Sequence, residues 1–461
     1  MQLLEKIASL LWGPWMLALI LGTGIYLTIG TRWLSVTKLR RAFRAALSSQ
    51  PGAEGDVSGF GALCTSLAAT LGTGNIIGVA TAITAGGPGA LFWMQLAAFF
   101  GMATKYAEGY LAVRYRRRGQ DGRFIGGPFL YLELGLNRPL LARIFAGACV
   151  ITCLISMGTT SQINGIVMAA EDFFTPDGGC TAFTLGGISI SWPALIAGIL
   201  TTLLVGMVLT GGIQRIASVS TLLVPFMAAL YVLLTLWLLL LNLPKLPAAT
   251  GLILRSAFAP RSALGAAAGI TFQKAMRYGL GRGIFSNEAG MGSDPIAAAA
   301  AQTDSPVRQG LISMLGPFLD TVVMCTLTGY AVVVTDAWRM PELNGAGITL
   351  YALRQLPLPN GLLSFLYMLC LFFFGFASII GWSFYGEQSL RYLFPCHGTC
   401  VRWFRLAFLT VLFIGSFMTA DAVWSLADIL CALMAVPNLI GLICMGDRVF
   451  HGTARYFKKG L

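Results

Sequence analysis

Long runs without a charged side chain dominate the chain: Ile7–Thr31, Val57–Thr104, Ile144–Ala170, Gly178–Gln214, Ile216–Pro244 and Gln355–Gly386. Each reaches or exceeds the roughly 20 residues that cross a bilayer as a helix. The runs are apolar throughout and do not alternate, which excludes a membrane β-barrel with its polar inner face. Splitting them at glycine, proline and charged positions predicts eleven helices, over 8–31, 58–84, 89–116, 142–171, 192–211, 216–242, 263–300, 307–335, 360–390, 404–421 and 424–446. The seventh is too long for one straight span and is interrupted by glycines. The first apolar run is too long for a cleavable signal and lacks a small-residue cleavage site, so it reads as a retained helix.

Two of these helices carry interruptions. In the second, Thr70–Gly78 reads TLGTGNIIG, placing glycines two apart in an uncharged run. Each glycine weakens a helix by roughly 1 kcal/mol relative to alanine, and a broken turn in hydrocarbon leaves backbone groups that need partners. A close helix crossing lined by small residues is the plain alternative. The seventh helix carries GLGRGIFSNEAGMGSDP over Gly279–Pro295, with Arg282, Glu288 and Asp294. Charges inside a span cost about 2.5–3.5 kcal/mol each on insertion scales and mark a pathway or site. The seventh helix follows the second by five spans, an odd number. Two sets of five helices in opposite orientation follow, over 58–242 and 263–446, with the helix at 8–31 outside the repeat. Paired interruptions of this kind are the mark of a transporter with inverted repeats.

Composition agrees with a polytopic membrane protein: 56% of residues are hydrophobic, 11% are charged, and mean hydropathy is +0.75. The net charge of +12 comes from short loops. If the loop after the first helix is cytoplasmic, 21 lysines and arginines fall inside and 6 outside, which predicts an external N-terminus and a cytoplasmic C-terminus. That distribution accounts for the basic balance without nucleic acid. Most of the ten cysteines lie in apolar segments, where cysteine behaves as a small hydrophobe. Cys396, His397 and Cys400 form CHGTC in a loop, without the second ligand pair a structural metal site needs. Lys105 and Glu108 read as an i,i+3 pair or as snorkelling side chains near the cytoplasmic end of the third helix. Asp320 lies deeper, where it could help to hold the broken helix.

The stretches ALCTSLAATLGTGNIIGVATAITAGGPGALFWMQLAAFFGMATKYAE, GLGRGIFSNEAGMGSDPIAAAAAQTD and FASIIGWSFYGEQSLRYLF resemble the alanine or glycine:cation symporter family, also called sodium:alanine symporters. The likeness runs through essentially the whole chain. It implies an all-α polytopic membrane protein with a LeuT-like fold, a single transporter domain over 1–461, in which Na⁺ drives uptake of a small neutral amino acid across the plasma membrane, as in a bacterial inner membrane. No cofactor beyond the coupling ion is implied, and the partners are the amino acid, Na⁺ and the lipid bilayer. By similarity, the amides of Thr73 and Gly74 and the side chain of Asn75 face the substrate carboxylate or a sodium ion. Gln162, Phe285, Ser286 and Trp382 complete the pocket. By analogy with the wider fold, sodium lies between the carbonyls of Ala68 and Leu71 and the hydroxyl of Ser378. The physics of the segment is compatible, since half-helix N-termini suit a carboxylate and freed carbonyls suit a cation. Two departures stand out. Ala377 replaces a hydroxyl residue common in the family, removing one possible sodium ligand, and Gln95 stands where the family typically has tryptophan, a change expected to concern helix packing more than the site.

Three rivals follow from the same residues. A proton-coupled permease on this fold would use Glu288 or Asp320 in place of sodium. A membrane enzyme would need a nucleophile, base or metal constellation that the sequence does not display. A passive channel would not concentrate its substrate.

Overall fold

The computed structural model describes residues 11–258 and 272–458, apart from 49, 51, 120–121, 176–180, 186–187, 341, 344, 396–397 and 419. The start of the first predicted helix, the stretch 263–271 and two of the CHGTC residues, Cys396 and His397, lie outside the described residues. The helices used below are α1 (Pro14–Gly30), α2 (Leu39–Leu47), α3 (Gly59–Thr70), α4 (Ile77–Gly86), α5 (Gly89–Tyr115), α6 (Pro139–Ile155), α7 (Thr160–Phe174), α8 (Trp192–Leu209) and α9 (Gly212–Leu241). They continue as α10 (Leu246–Phe258), α11 (Phe272–Asn287), α12 (Asp294–Ala298), α13 (Pro306–Val334), α14 (Ala346–Leu353), α15 (Asn360–Leu393), α16 (Gly398–Gly415), α17 (Ala420–Cys444) and α18 (Gly446–Lys458). Among the described residues, 6 helices are long and apolar enough to cross a membrane, or up to 8 if each bent pair forms one span.

The ends of these helices follow local chemistry. Proline opens α1, α6, α8 and α13 within their first two residues, where its missing N–H costs nothing. Ser58, Ser191 and Ser305 cap α3, α8 and α13 by accepting a backbone N–H, as N-cap hydroxyls do. Small residues then set how closely the helices approach. A Cβ on Gly279 would lie 2.2 Å from the Ala90 carbonyl oxygen, and one on Gly381 2.8 Å from Ala69. Thus α11 is pressed against α5, and α15 against α3, by the absence of side chains.

The second predicted helix is broken: α3 and α4 are separated by a short 3₁₀ turn at Thr73–Asn75 and bent by 63°. The seventh breaks between Asn287 and Asp294, with left-handed backbone at Glu288 (φ 55°), Gly290 (φ 89°) and Gly292 (φ 80°). Glycine tolerates that conformation, whereas Glu288 needs support from its surroundings. Two irregularities go beyond the sequence reading. The helix predicted over 142–171 is two helices, α6 and α7, parted at Ser156–Thr159. The middle of α13, Phe318–Cys325, winds as a π-helix, a form often found at functional sites. The helices α10, α14 and α18 and the hairpin β1 (Thr181–Leu185) and β2 (Ile188–Ser191) also lie outside the eleven predicted elements.

The segments before α3 and after α12 are joined. Val57 forms a bridge with Ala301, reinforced by hydrogen bonds from Asp56 and Val57 N–H to the Ala300 carbonyl and from Gln302 N–H to the Val57 carbonyl. Arg116, at the end of α5, donates to the carbonyls of Ala299, Ala301, Glu54 and Thr303 at 2.6–3.0 Å, with its guanidinium 4.2 Å from the Phe124 ring centre. One arginine thereby satisfies carbonyls that the end of α12 exposes. Arg116→Met should cost roughly 2 kcal/mol, the scale of lost hydrogen bonds to a charged donor. The expected reading is a lower thermal midpoint for the detergent-solubilised chain, with Arg116→Lys recovering only part of the difference. An unchanged midpoint would mean that the junction stands without the guanidinium.

Candidate functional site

Three hydrogen-bonding choices define the break of the second helix. The Leu71 N–H closes the last turn of α3 on the Leu67 carbonyl at 2.7 Å. The Gly72 N–H then turns to the Thr70 carbonyl and to Asn75 Oδ1, both at 3.0 Å. The Thr73 N–H and hydroxyl donate to Gln162 Oε1, at 3.2 and 3.0 Å. These diversions leave the carbonyls of Ala68 and Ala69 without the amides that a continuing helix would offer. The Ala69 carbonyl accepts from the Ser378 hydroxyl at 3.0 Å, so Ser378 reaches across from α15 instead of bonding its own helix. Ala68, Leu71, Thr73, Gln162 and Ser378 thus surround one point of broken backbone, all of them buried.

Asn75 joins this break to the rest of the core. Its Nδ2 donates to Asp320 Oδ1 at 2.6 Å and to Ser286 Oγ at 3.0 Å. Asp320 Oδ2 also accepts from the hydroxyls of Ser286 and Thr321, at 2.9 and 2.6 Å. A single carboxylate therefore binds groups from the first break, from α11 and from the π-helical turn of α13, all screened from solvent. The extra residue per turn in that segment belongs to the stretch that carries Asp320. Gln95 Nε2 donates to the neighbouring Thr321 carbonyl at 3.2 Å, so the family departure at this position touches the surroundings of the carboxylate as well as helix packing. Gly74 lies beside this cluster. A Cβ placed there would reach only Phe285, 4.0 Å away, so the backbone of the broken turn is faced by an aromatic ring at ordinary contact distance.

Trp382 occupies a different place. It is fully buried and its indole N–H donates to Glu288 Oε1 at 3.1 Å, which ties α15 to the second break. Ser293 donates to the other oxygen of Glu288, and these bonds hold the residue in its left-handed conformation. Of the residues singled out from the sequence, Thr73, Gly74, Asn75, Gln162, Phe285, Ser286, Ala68, Leu71 and Ser378 gather about the first break, while Trp382 extends toward the second.

Lys105 and Glu108 differ from the surface pair expected of them. Both are fully buried. Glu108 accepts from the Gly290 N–H at 3.2 Å and from Asn438 Nδ2 at 2.6 Å, while Asn438 also donates to the Gly290 carbonyl at 2.9 Å. Asn438 in turn accepts from the Tyr131 hydroxyl. Lys105 Nζ has no hydrogen-bond partner among the described residues. Asp294 accepts from Ser66 of α3, a second link between the two interrupted helices. Sequence spacing alone favoured an i,i+3 pair. The missed signal was depth: Lys105 directly ends the uncharged run from Val57, and it faces the charges of Gly279–Pro295.

These features make a buried polar centre between two broken helices, with oxygen ligands and half-helix ends. Comparison with known proteins agrees with that architecture. The sodium:alanine symporter family model matches residues 1–460. A Haemophilus influenzae protein named as an uncharacterized transporter is 47% identical over 458 residues, covering 99% of this chain and 96% of the relative. The sodium/alanine symporter AgcS of Methanococcus maripaludis is 41% identical over 466 residues, covering 99% and 97%. A probable sodium/glutamine symporter, GlnT of Bacillus subtilis, is 35% identical, covering 99% and 92%. Among solved structures, MhsT in complex with L-phenylalanine shares the fold, with a TM-score of 0.60 at 14% identity over 86% of this chain and 90% of that one. A Na⁺-coupled sialic acid symporter aligns with a TM-score of 0.50 at 14% identity, covering 95% and 86%. The chain is a helical, multi-pass membrane transporter with a LeuT-like fold, and it belongs to the sodium:alanine symporter family.

Proposed function

We propose that the protein couples inward movement of Na⁺ to uptake of a small neutral amino acid, alanine or glycine, across the plasma membrane of a bacterial cell. The observation that carries this reading is the bare backbone of the broken turn at Gly74, faced by Phe285 at contact distance and joined through Asn75 to Ser286 and Asp320. In this reading the amides of the Thr73–Asn75 turn receive the substrate carboxylate, with Gln162 releasing the Thr73 N–H as substrate enters. The freed carbonyl end of α3 faces the positive charges. Sodium is held by the Ala68 and Leu71 carbonyls and the Ser378 hydroxyl, the hard oxygen donors such a cation needs. Phe285, which faces Gly74, limits the side chain that fits. The names of two relatives, a sodium/alanine and a sodium/glutamine symporter, support sodium coupling and leave the size of the side chain to be decided by the pocket.

The same reading takes 58–242 and 263–446 as two inverted sets of five spans, with α1 as an eleventh span outside them, the N-terminus external and the C-terminus cytoplasmic. Alternating access then consists of movement of the two broken helices relative to the rest. A second reading is proton coupling on the same scaffold, with the buried carboxyl groups of Glu288 and Asp320 taking the place of sodium.

Reconstituted vesicles separate the readings. With an inward sodium gradient at fixed pH, labelled alanine should accumulate above its external concentration. Accumulation that is indifferent to sodium and follows a pH gradient would establish the proton reading, and equilibration without accumulation would end both.

The cradle has its own test. Gly74→Leu should weaken alanine binding about tenfold to a hundredfold, the range expected when side-chain bulk is forced into filled space. Gly74→Ala should be tolerated far better, because a lone Cβ stops 4.0 Å short of Phe285. Wild-type alanine affinity in an inserted Gly74→Leu protein would place the substrate elsewhere.

The ion site is tested at two neighbouring positions. Ser378→Ala should nearly eliminate sodium-dependent uptake, raising the sodium concentration for half-maximal transport about tenfold or more for the loss of one donor. Ala377→Ser should lower it by restoring a hydroxyl. Retention of sodium dependence in Ser378→Ala would move the cation toward Asn75 and Asp320.

A further inference from the structure

Two amphipathic helices leave the spans at the same end of the molecule. α2 follows α1 through a short turn of helix at Leu34–Thr37, and α18 follows α17 across a 56° bend. Each buries a narrow apolar or small-residue stripe, Ala42, Ala45 and Ala46 on α2 and Val449 and Thr453 on α18. Their cations, Arg40, Arg41, Arg44, Arg448, Arg455 and Lys458, are exposed. A helix with a cationic face that continues directly from an apolar span lies where the bilayer gives way to water.

The two helices meet around one ring. Lys38 Nζ stands 5.1 Å from the centre of the Phe457 ring and the Arg41 guanidinium 5.6 Å. Phe457 borders two grooves at once. One, of about 460 Å³, is lined by Arg32, Leu34, Lys38, Phe450, His451 and Lys458. The other, of about 250 Å³, is lined by Arg41, Arg44, Ser48, Arg308 and Tyr456. Neither groove is lined by a carboxylate, and among the described residues Arg32, Lys38, Arg41, Arg44 and Lys458 form no ion pair. Asp447 faces a separate recess with Arg114, Arg448 and Arg455. Arg308 is already engaged, donating to the Ala45 carbonyl and the Ser48 hydroxyl at 2.9 Å, and so forms a fixed wall between α13 and the end of α2.

We infer that these grooves hold the phosphate headgroup of an anionic phospholipid, with Lys38, Arg41 and Lys458 on the phosphate and Leu34, Phe450 and Phe457 against the glycerol and first methylenes. Three observations favour a lipid over a soluble polyanion. Among the described residues, no acid lines the grooves in which the cations gather. Apolar and aromatic side chains share their walls. Trp33 and Val36 beside them are 50% and 54% exposed, as side chains that face acyl chains would be. Basic pockets next to spans recognise such headgroups through this combination of charge and apolar contact. Because Arg308 ties α2 to the start of α13, a bound lipid would brace the helix that carries Asp320 as well as the surface helix.

The test uses the full-length protein in nanodiscs of phosphatidylcholine with a minor share of phosphatidylglycerol, followed by native mass spectrometry of the lipid retained on release. Phosphatidylglycerol should be kept in preference to phosphatidylcholine, and Lys38→Gln/Arg41→Gln should lower that retention about tenfold or more. A control that removes the same charge elsewhere, Arg215→Gln/Arg402→Gln, should retain it as the unaltered chain does. Equal losses in both variants, or no preference in the unaltered protein, would overturn the site in favour of a general surface field. Competition with excess glycerol 3-phosphate distinguishes the source of the phosphate. Persistence of the bound lipid supports the assignment, and full displacement would reduce the grooves to a site for small soluble phosphates.

Discussion

A helix interrupted inside hydrocarbon has to satisfy its own loose ends, because no bulk solvent reaches them. Both interruptions in this transporter meet that requirement with side chains from distant helices. Gln162 and Ser378 serve the first, alongside Asn75 of the break itself; Glu108, Asn438 and Trp382 serve the second. The breaks are therefore preformed and do not have to be melted out of a regular helix when a ligand arrives. Their geometry is fixed by α5, α7, α15 and α17, so these helices determine where the half-helix ends point. Movement of any one of them relative to the others must exchange some of these hydrogen bonds, which connects binding at the centre to rearrangement of the bundle.

The charges follow from the same requirement. Several carboxylates, Glu108, Glu288, Asp294 and Asp320, lie out of contact with water, and an isolated charge there would be costly. Hydroxyl and amide donors such as Ser66, Ser293, Thr321 and Asn438 share the load. The arrangement differs from a row of separate ion pairs because it is shared among helices on both sides of the molecule. Removal of one member leaves its partners both unpaired and dry, so the effect of a single substitution spreads through the group.

Much of this was readable from the residues themselves. The uncharged runs pointed to a helical, multi-pass membrane protein, and Gly72, Gly74 and the glycine-rich segment beginning at Gly279 marked the interruptions, because glycine and buried charge have no routine place in a membrane helix. The junction at Ser156–Thr159 escaped notice since its punctuation is only hydroxyl residues and one glycine, which membrane helices tolerate. The π-helical turn around Asp320 has no signature in composition, as it depends on a hydrogen-bond register set by packing. Lys105 was misplaced for a related reason: spacing along one helix identifies Glu108 as a neighbour, but only the assembled bundle shows that Glu108 is committed to Gly290 and Asn438.

The polar links between the two broken helices also bear on how the chain is made. Asn75 finds Ser286 and Asp320 only 211 and 245 residues later in the sequence, and Ser66 waits 228 residues for Asp294. At synthesis rates of about 5–20 residues per second these partners emerge roughly 10–50 s apart. During that interval the first interrupted helix has been delivered to the membrane with its asparagine and serine still unmatched. The insertion machinery, neighbouring lipid headgroups or temporary contacts within the early helices must shelter them. Biogenesis therefore places a demand on Val57–Thr104 that the finished transporter no longer displays: the segment has to remain lodged in the bilayer before the residues that complete its interior exist.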